Sequence, residues 1–179
     1  MSGLNKAFFL DRDGVLNTMV FRLGKLRAPY TLEEFSLFPQ VPEALAALKG
    51  AGYKLIVVTN QPDVARGWVS RDAVDLVNGK IRDLLPVDDI EVCFHTEKDA
   101  CECRKPKPGM LLRAARNWDI DLSRSFMVGD RYSDVEAGVS AGCRSVLIGA
   151  GEAREKVVEP YLRSSSLWAA VQVILKLPG

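Results

Sequence analysis

The stretch from Phe8 to Asn17, FFLDRDGVLN, constrains this chain most, because an apolar run that starts at about Ala7 stops directly against two carboxylates and a glycine. An apolar run without alternation is the pattern of a strand covered on both faces, as at the centre of a parallel sheet. In open sheets of that kind ligands bind beyond the carboxyl ends of the strands. Asp11 and Asp13 stand at that end, and Gly14 supplies the turn. Being two residues apart on an extended segment, the carboxylates point to one side and Arg12 to the other. Close carboxylates repel unless a cation or a shared proton offsets them, and such oxygen ligands suit Mg²⁺. Asp and Gly are also ordinary turn residues, so DxDG alone fits a plain turn equally well.

Length bounds what can surround this strand: 179 residues suffice for one core and are few for two, so a single domain over 1–179 is expected. The chain carries 24 Lys and Arg against 23 Asp and Glu, a balance that asks for neither nucleic acid nor a membrane surface as partner. Any basic site is therefore local. No apolar run approaches the roughly 20 residues needed to span a bilayer, and the N-terminus enters the first strand without a signal-peptide core. A cytoplasmic protein is expected, and in that compartment four cysteines point to thiols or metal ligands rather than disulfides.

The connection after Asn17, residues 18–38, reads as a loop over the strand ends, and its Arg22, Lys25 and Arg27 as a solvated basic surface more readily than an anion contact. Pro42 starts a helix with Val41, Leu45 and Leu48 on one face, closed by Gly50 and Gly52. KLIVVTN is a second buried strand. It ends in Thr59, Asn60 and Gln61, hydrogen-bonding groups placed to meet a phosphoryl group near Asp11, although a strand-to-loop turn is the plainer reading of TNQ alone. A helix follows over about Ser70–Leu85, with Val74, Val77, Ile81 and Leu84 on one stripe, and then a short strand over Glu91–Phe94.

Cys93, His95, Cys101 and Cys103 fall within eleven residues and include the only histidine of the chain. Two pairs of soft ligands, each with one residue between, supply a Cys₃His tetrahedron for Zn²⁺ with no position left for a catalytic water, which makes the zinc structural. Arg104, Lys105 and Lys107 come next, in RKPKPG, where the prolines predict an extended segment. A clamped loop would position these cations as electrostatic catalysis requires. The helix MLLRAARNW follows, and then a buried strand ending in Gly129 and Asp130. Asp130 is placed to complete the oxygen shell of a metal held by Asp11. Ser133 with Glu136 predicts a capping box that opens the next helix. Asp134 reads equally as a brace for a lysine or outer-shell water and as a helix cap. The strand SVLIG and a helix with Leu167, Ala170, Val171, Ile174 and Leu175 on its apolar face complete the chain.

Taken together, DRDGVLN, TNQ, RKPKPG and GDRYSD, in that order and each after a strand, resemble the four motifs of the haloacid dehalogenase (HAD) superfamily. The CxH and CxC pairs running into RKPKPGM resemble its branch of heptose bisphosphate and histidinol phosphate phosphatases. This resemblance implies an α/β fold, a doubly wound, mainly parallel sheet with helices on both faces, a small zinc-binding loop and no large cap domain. It implies Asp11 as nucleophile and Asp13 as general acid and base. Mg²⁺ would be held by the Asp11 carboxylate, the Asp13 backbone carbonyl and Asp130. Thr59 and Lys105 would bind the phosphoryl group, and Arg104 the substrate. The substrate implied is a small phosphorylated sugar handled by a monomer: the 7-phosphate of a heptose 1,7-bisphosphate, on the route to lipopolysaccharide core precursors, in preference to histidinol phosphate. A domain that binds without catalysis is the remaining reading. Arg104, Arg66 and Arg131 offer a second anion site for such a bisphosphate. The connection after Asn17 is longer than that branch's usual short loop, with Tyr30 as the counterpart of its tyrosine.

Overall fold

The computed structural model describes residues 4–149 and 158–177. Its strands are β1 (Lys6–Leu10), β2 (Val20–Arg22), β3 (Lys25–Arg27), β4 (Tyr53–Asn60), β5 (Asp89–Cys93), β6 (Phe126–Gly129), β7 (Arg144–Ile148) and β8 (Leu162–Ser164). Its helices are α1 (Val41–Gly50), α2 (Arg71–Leu84), α3 (Gly109–Asn117), α4 (Tyr132–Ala141) and α5 (Leu167–Ile174). Six strands form one sheet in the order β5-β4-β1-β6-β7-β8, and every neighbouring pair is parallel. The chain thus winds outward from β1 in both directions, and β1 is central as its apolar run predicts.

Alternation along β1 divides the interior into two cores. Phe8 and Leu10 face the layer of α1 and α5, where they join Leu45, Leu48 and Val171. Ala7 and Phe9 face the other layer, with Leu111 and Ala114 of α3 and Ala137 of α4. Phe8 stacks on Phe126 at 4.9 Å and meets the edge of Tyr53 at 4.8 Å. With each such side chain worth about 1.5–3 kcal/mol on burial, β1 is anchored from both faces. No helix among the described residues is long and apolar enough to cross a membrane.

Several local expectations are corrected. The connection after Asn17 carries an antiparallel hairpin, β2 with β3, which pairs Val20 with Arg27. Its base is closed where Thr18 N–H donates to Ser36 O at 2.9 Å and Phe38 N–H to Leu16 O at 3.0 Å. The RKPKPG segment is turned rather than extended: Lys107 N–H donates to Arg104 O at 2.9 Å, which sends Lys105 inward and leaves Lys107 to the exposed Glu102, 2.7 Å away. Helix α4 starts one residue before the expected Ser133, and the Ser133–Glu136 box does not form. Arg131 occupies the capping position instead, its N–H donating to Asp134 Oδ2 at 3.0 Å, because that carboxylate lies one turn inside the helix and satisfies the orphan donor. Leu175 caps α5 and stays partly exposed instead of joining the apolar face.

Candidate active site

The carboxyl ends of β1, β4 and β6 converge on a cleft of about 1490 Å³ whose walls include Asp11, Asn60, Lys105 and Asp130. Lys105 is only 3 % exposed and organises the floor. Its Nζ donates to Asp11 Oδ1 and to Val58 O, both at 2.8 Å, and lies 2.7 Å from Asp134 Oδ1. The Asp134 carboxylate thus serves both roles read from the sequence, one oxygen each: Oδ1 braces the lysine and Oδ2 caps α4. Gly129 lies against this carboxylate, since a Cβ there would come within 2.2 Å of Asp134 Oδ2.

Carboxylate oxygens of Asp11, Asp130 and Asp134 all lie within 4.8 Å of one another, three acidic groups around one ammonium. Burial pushes the Asp11 carboxyl up to about 7 and that of Asp130 up to about 6, with the Asp134 charge adding to both. Burial disfavours the Lys105 ammonium, but Asp11 and Asp134 outweigh it and hold the lysine above its ordinary value. Asp130 Oδ1 is buried without a hydrogen-bond partner. A site short of positive charge, with an orphaned carboxylate oxygen beside Asp11, fits a hard divalent cation. Asp134 has already spent both oxygens, so Asp11 and Asp130 are the carboxylates left for the metal. Gly14 permits this approach, at φ +92° and with Asp130 Oδ2 only 2.4 Å from where a Cβ would stand.

Arg12 departs from the expectation that it faces away. It is fully buried, with Nε 3.1 Å and Nη2 3.0 Å from the Asp13 carboxylate and Nη1 3.0 Å from Asn78 Oδ1. Asp13 also accepts from Asn17 Nδ2 at 2.9 Å and from Gln61 Nε2 at 2.7 Å, so donors hold both its oxygens. Sequence reasoning missed this arginine. The available signal was Asn78, a polar residue on the buried face of α2 between Val77 and Ile81.

Of the residues expected to meet substrate, Thr59 is buried beneath the floor, its hydroxyl accepting from Gln61 Nε2 at 2.8 Å. Gln61 spends that donor on Thr59 and on Asp13. Asn60 clamps the backbone of Lys105, donating to its carbonyl and accepting from its N–H, both at 3.1 Å. These two amides hold the machinery in place. Arg66 and Arg104 reach the rim and share Glu97. Arg131 lies at the mouth, its Nε 3.9 Å from Asp130 Oδ1. From the hairpin side, Arg27 lies over Trp68 at 4.4 Å and within 3.5 Å of Asp63, whose carboxylate also accepts from Tyr30 Oη at 2.7 Å. Burial, and then Asp63, push the Tyr30 hydroxyl up to about 12.

The zinc-ligand set gathers as predicted from spacing. Cys93, His95, Cys101 and Cys103 place their ligand atoms together, with Cys93 and Cys101 Sγ 3.8 Å apart, Cys101 and Cys103 Sγ 3.5 Å apart and His95 Nδ1 3.2 Å from Cys103 Sγ. All three thiols are free, and Zn–S bonds of about 2.3 Å in a tetrahedron require separations of about this size. Cys93 and Cys103 Sγ, 3.0 Å apart, stand closer than that tetrahedron sets them and would part to take the ion.

A family model described as HAD-hydrolase-like matches residues 102–168. The chain is 40 % identical over 148 residues to a D-glycero-β-D-manno-heptose-1,7-bisphosphate 7-phosphatase of Rhodopseudomonas palustris, covering 76 % of this chain and 79 % of that one. It is 33 % identical over 183 residues to a D-glycero-α-D-manno-heptose-1,7-bisphosphate 7-phosphatase of Photorhabdus laumondii, covering 94 % and 96 %. The crystal structure of a D,D-heptose 1,7-bisphosphate phosphatase from B. bronchiseptica, complexed with magnesium and phosphate, superposes with a TM-score of 0.83 at 31 % identity over 96 % of this chain and 98 % of that one.

Proposed function

From the membership of this chain in the heptose 1,7-bisphosphate 7-phosphatase family of HAD-like hydrolases, we propose a Mg²⁺-dependent phosphomonoesterase that removes the 7-phosphate of D-glycero-D-manno-heptose 1,7-bisphosphate and leaves the 1-phosphate in place. The observation that carries the reading is the buried Asp11–Lys105–Asp134 array beside the orphaned oxygen of Asp130. It is a preorganised, metal-binding floor for one phosphoryl group.

Asp11 is the nucleophile. Its Oδ1 accepts from Lys105 Nζ at 2.8 Å and from the Arg12 N–H at 2.9 Å, which leaves Oδ2 to attack phosphorus. Asp11 and Asp130, with the Asp13 carbonyl, would hold Mg²⁺, whose charge would screen the anionic nucleophile from the anionic phosphoryl group. Asp13 protonates the ester oxygen as its bond to phosphorus breaks, and an aspartyl phosphate forms on Asp11. Asp13 then takes a proton from water, the water oxygen attacks phosphorus, and inorganic phosphate leaves with Asp11 restored. To serve as acid and base, Asp13 gives up a donor on its cleft side, and Gln61 is the one joined to Thr59 nearby. The Lys105 charge beside Asp11 offsets the charge of the transferring oxygens, and Thr59 supports the floor from beneath through Gln61. The zinc loop carries Arg104 to the rim.

The test is phosphate release from the bisphosphate beside histidinol phosphate, with the position of the remaining phosphate identified. The 1-phosphate is the expected product, with activity lost in excess chelator. Asp11→Asn should lower turnover at least about a thousandfold. A better rate on histidinol phosphate, or full turnover by Asp11→Asn, would sink the assignment.

A further inference from the structure

Two guanidiniums at the rim are held in the same way. Arg66 Nη1 donates to Asp63 Oδ1 at 2.9 Å, while its Nη2 reaches Glu97 Oε2 at 3.2 Å. Arg104 Nη1 donates to His95 O at 3.2 Å, while its Nη2 meets Glu97 Oε1 at 2.5 Å. Each arginine thus spends one nitrogen on a fixed anchor, a buried carboxylate or a backbone carbonyl beside the zinc ligands. Each turns the other nitrogen onto one shared carboxylate. That carboxylate is the solvent-facing partner: the Glu97 side chain is 61 % exposed. The short turn over Glu97–Asp99 is closed by Thr96 N–H on Asp99 Oδ2 at 2.6 Å and Lys98 N–H on Thr96 Oγ1 at 3.3 Å, while the Glu97 carboxylate, besides the two arginines, draws on its own backbone N–H. Glu97, Arg66 and Arg104 all line the cleft that Asp11 and Lys105 floor.

We propose that Glu97 is an internal competitor for the substrate's second phosphate, a specificity-determining residue that occupies Arg66 and Arg104 in the resting enzyme and returns to them to release product. A carboxylate shared by two guanidiniums makes the same charge-assisted, paired contacts that a phosphate makes, with half the charge of a phosphate dianion. An exposed carboxylate loses little on going to water, so a dianion displaces it while a hydroxyl does not. Substrate and product carry the same distal phosphate once the 7-phosphate has gone. A competitor that returns to the arginines therefore keeps the product from staying bound. This deepens the bisphosphate reading above and rests on it.

The experiment compares wild type with Glu97→Gln and, as a second variant that removes every contact, Glu97→Ala. In both, KM for the bisphosphate and the inhibition constant of the 1-phosphate product should fall about fivefold, the size of one exposed ion pair. The ratio of kcat/KM for the bisphosphate to that for a heptose 7-phosphate lacking the second phosphate should rise by the same factor. Binding of the bisphosphate to Asp11→Asn protein, with and without Glu97→Gln, reads the same shift in Kd without turnover. It therefore separates failure of this inference from failure of the functional assignment. Values that stay level or rise when Glu97 is removed would make Glu97 a support for the arginines and overturn the proposal.

Discussion

The floor of the cleft and its rim hold their charges in opposite ways. On the floor, Lys105 and Asp134 are almost wholly buried, and every polar atom of the pair is committed: Nζ to Asp11, Asp134 and Val58, and the Asp134 oxygens to Lys105 and Arg131. At the rim, Arg66, Arg104 and Glu97 keep 30 %, 19 % and 61 % of their side chains in solvent. A buried charge cannot leave its partner without a large desolvation penalty, whereas an exposed one exchanges partners at little cost. The floor is accordingly suited to stabilising charge that appears during reaction, and the rim to choosing what enters. The difference is one of solvent access more than of residue type.

Replacing the buried cation tests that contrast most severely. Lys105→Met should lower kcat by about a hundredfold or more, as loss of a preorganised donor does. It should also destabilise the metal-free protein by about 3 kcal/mol, because Asp11 and Asp134 are left buried without their partner. Steady-state kinetics together with denaturant melts check both, and a variant that binds poorly but turns over normally would place Lys105 in the same class as the rim.

Cutting the link between the two regions is expected to act mainly on the rim. Cys101→Ser should lower zinc content measured by elemental analysis, reduce Tm by roughly 10 °C if about 3 kcal/mol is lost, and raise KM without abolishing turnover. Zinc-free wild-type protein with intact activity and melting temperature would contradict the structural role.

A smaller effect follows from Arg104→Ala, which should raise KM for the bisphosphate about tenfold and leave kcat nearly unchanged, the signature of a contact made equally in ground and transition states. An unchanged KM would remove Arg104 from recognition.

The smallest effect expected is a pH dependence confined to the floor. Asp11 and Asp130 have folded values raised to about 7 and about 6 from 3.8, so the metal-free native state binds more protons than the unfolded chain between about pH 4 and pH 7. Their contribution to stability is present below pH 4 and is lost as pH rises through 6 and 7. Thermal melts should therefore show Mg²⁺ stabilising the protein by several degrees more at pH 8 than at pH 5.5. Equal stabilisation at both would deny the floor its shortage of positive charge.

Much of the floor was legible from the chain itself. Strands β1, β4 and β6 are apolar runs that end on Asp11, Thr59 and Asp130, and local patterning is enough to place them. The zinc set was legible because its ligands lie within eleven residues. What was not legible depends on distant partners. Arg12 turns inward because Asn78, sixty-six positions away, accepts its Nη1. The hairpin gave no signal because Phe21, Leu23 and Leu26 remain exposed, so no buried face imprints a period of two. The rim network draws on Arg27, Asp63, Arg66, Glu97 and Arg104, which come from three separate loops and share no spacing.

The two-sided burial of β1 has a consequence for how the enzyme fails. Phe8 and Leu10 belong to one core and Ala7 and Phe9 to the other, and Asp11, the proposed nucleophile, is the very next residue. The backbone N–H of Asp11 still donates across to Val128 O at 2.9 Å, so the strand carries its hydrogen bonding as far as that carboxylate's own residue. Asp11 has no hinge of its own: it cannot swing out, fray or melt locally while either half of the interior stays closed. Heat should therefore take the position of Asp11 and the fold in the same cooperative step, with no warm, intact but disarmed species in between.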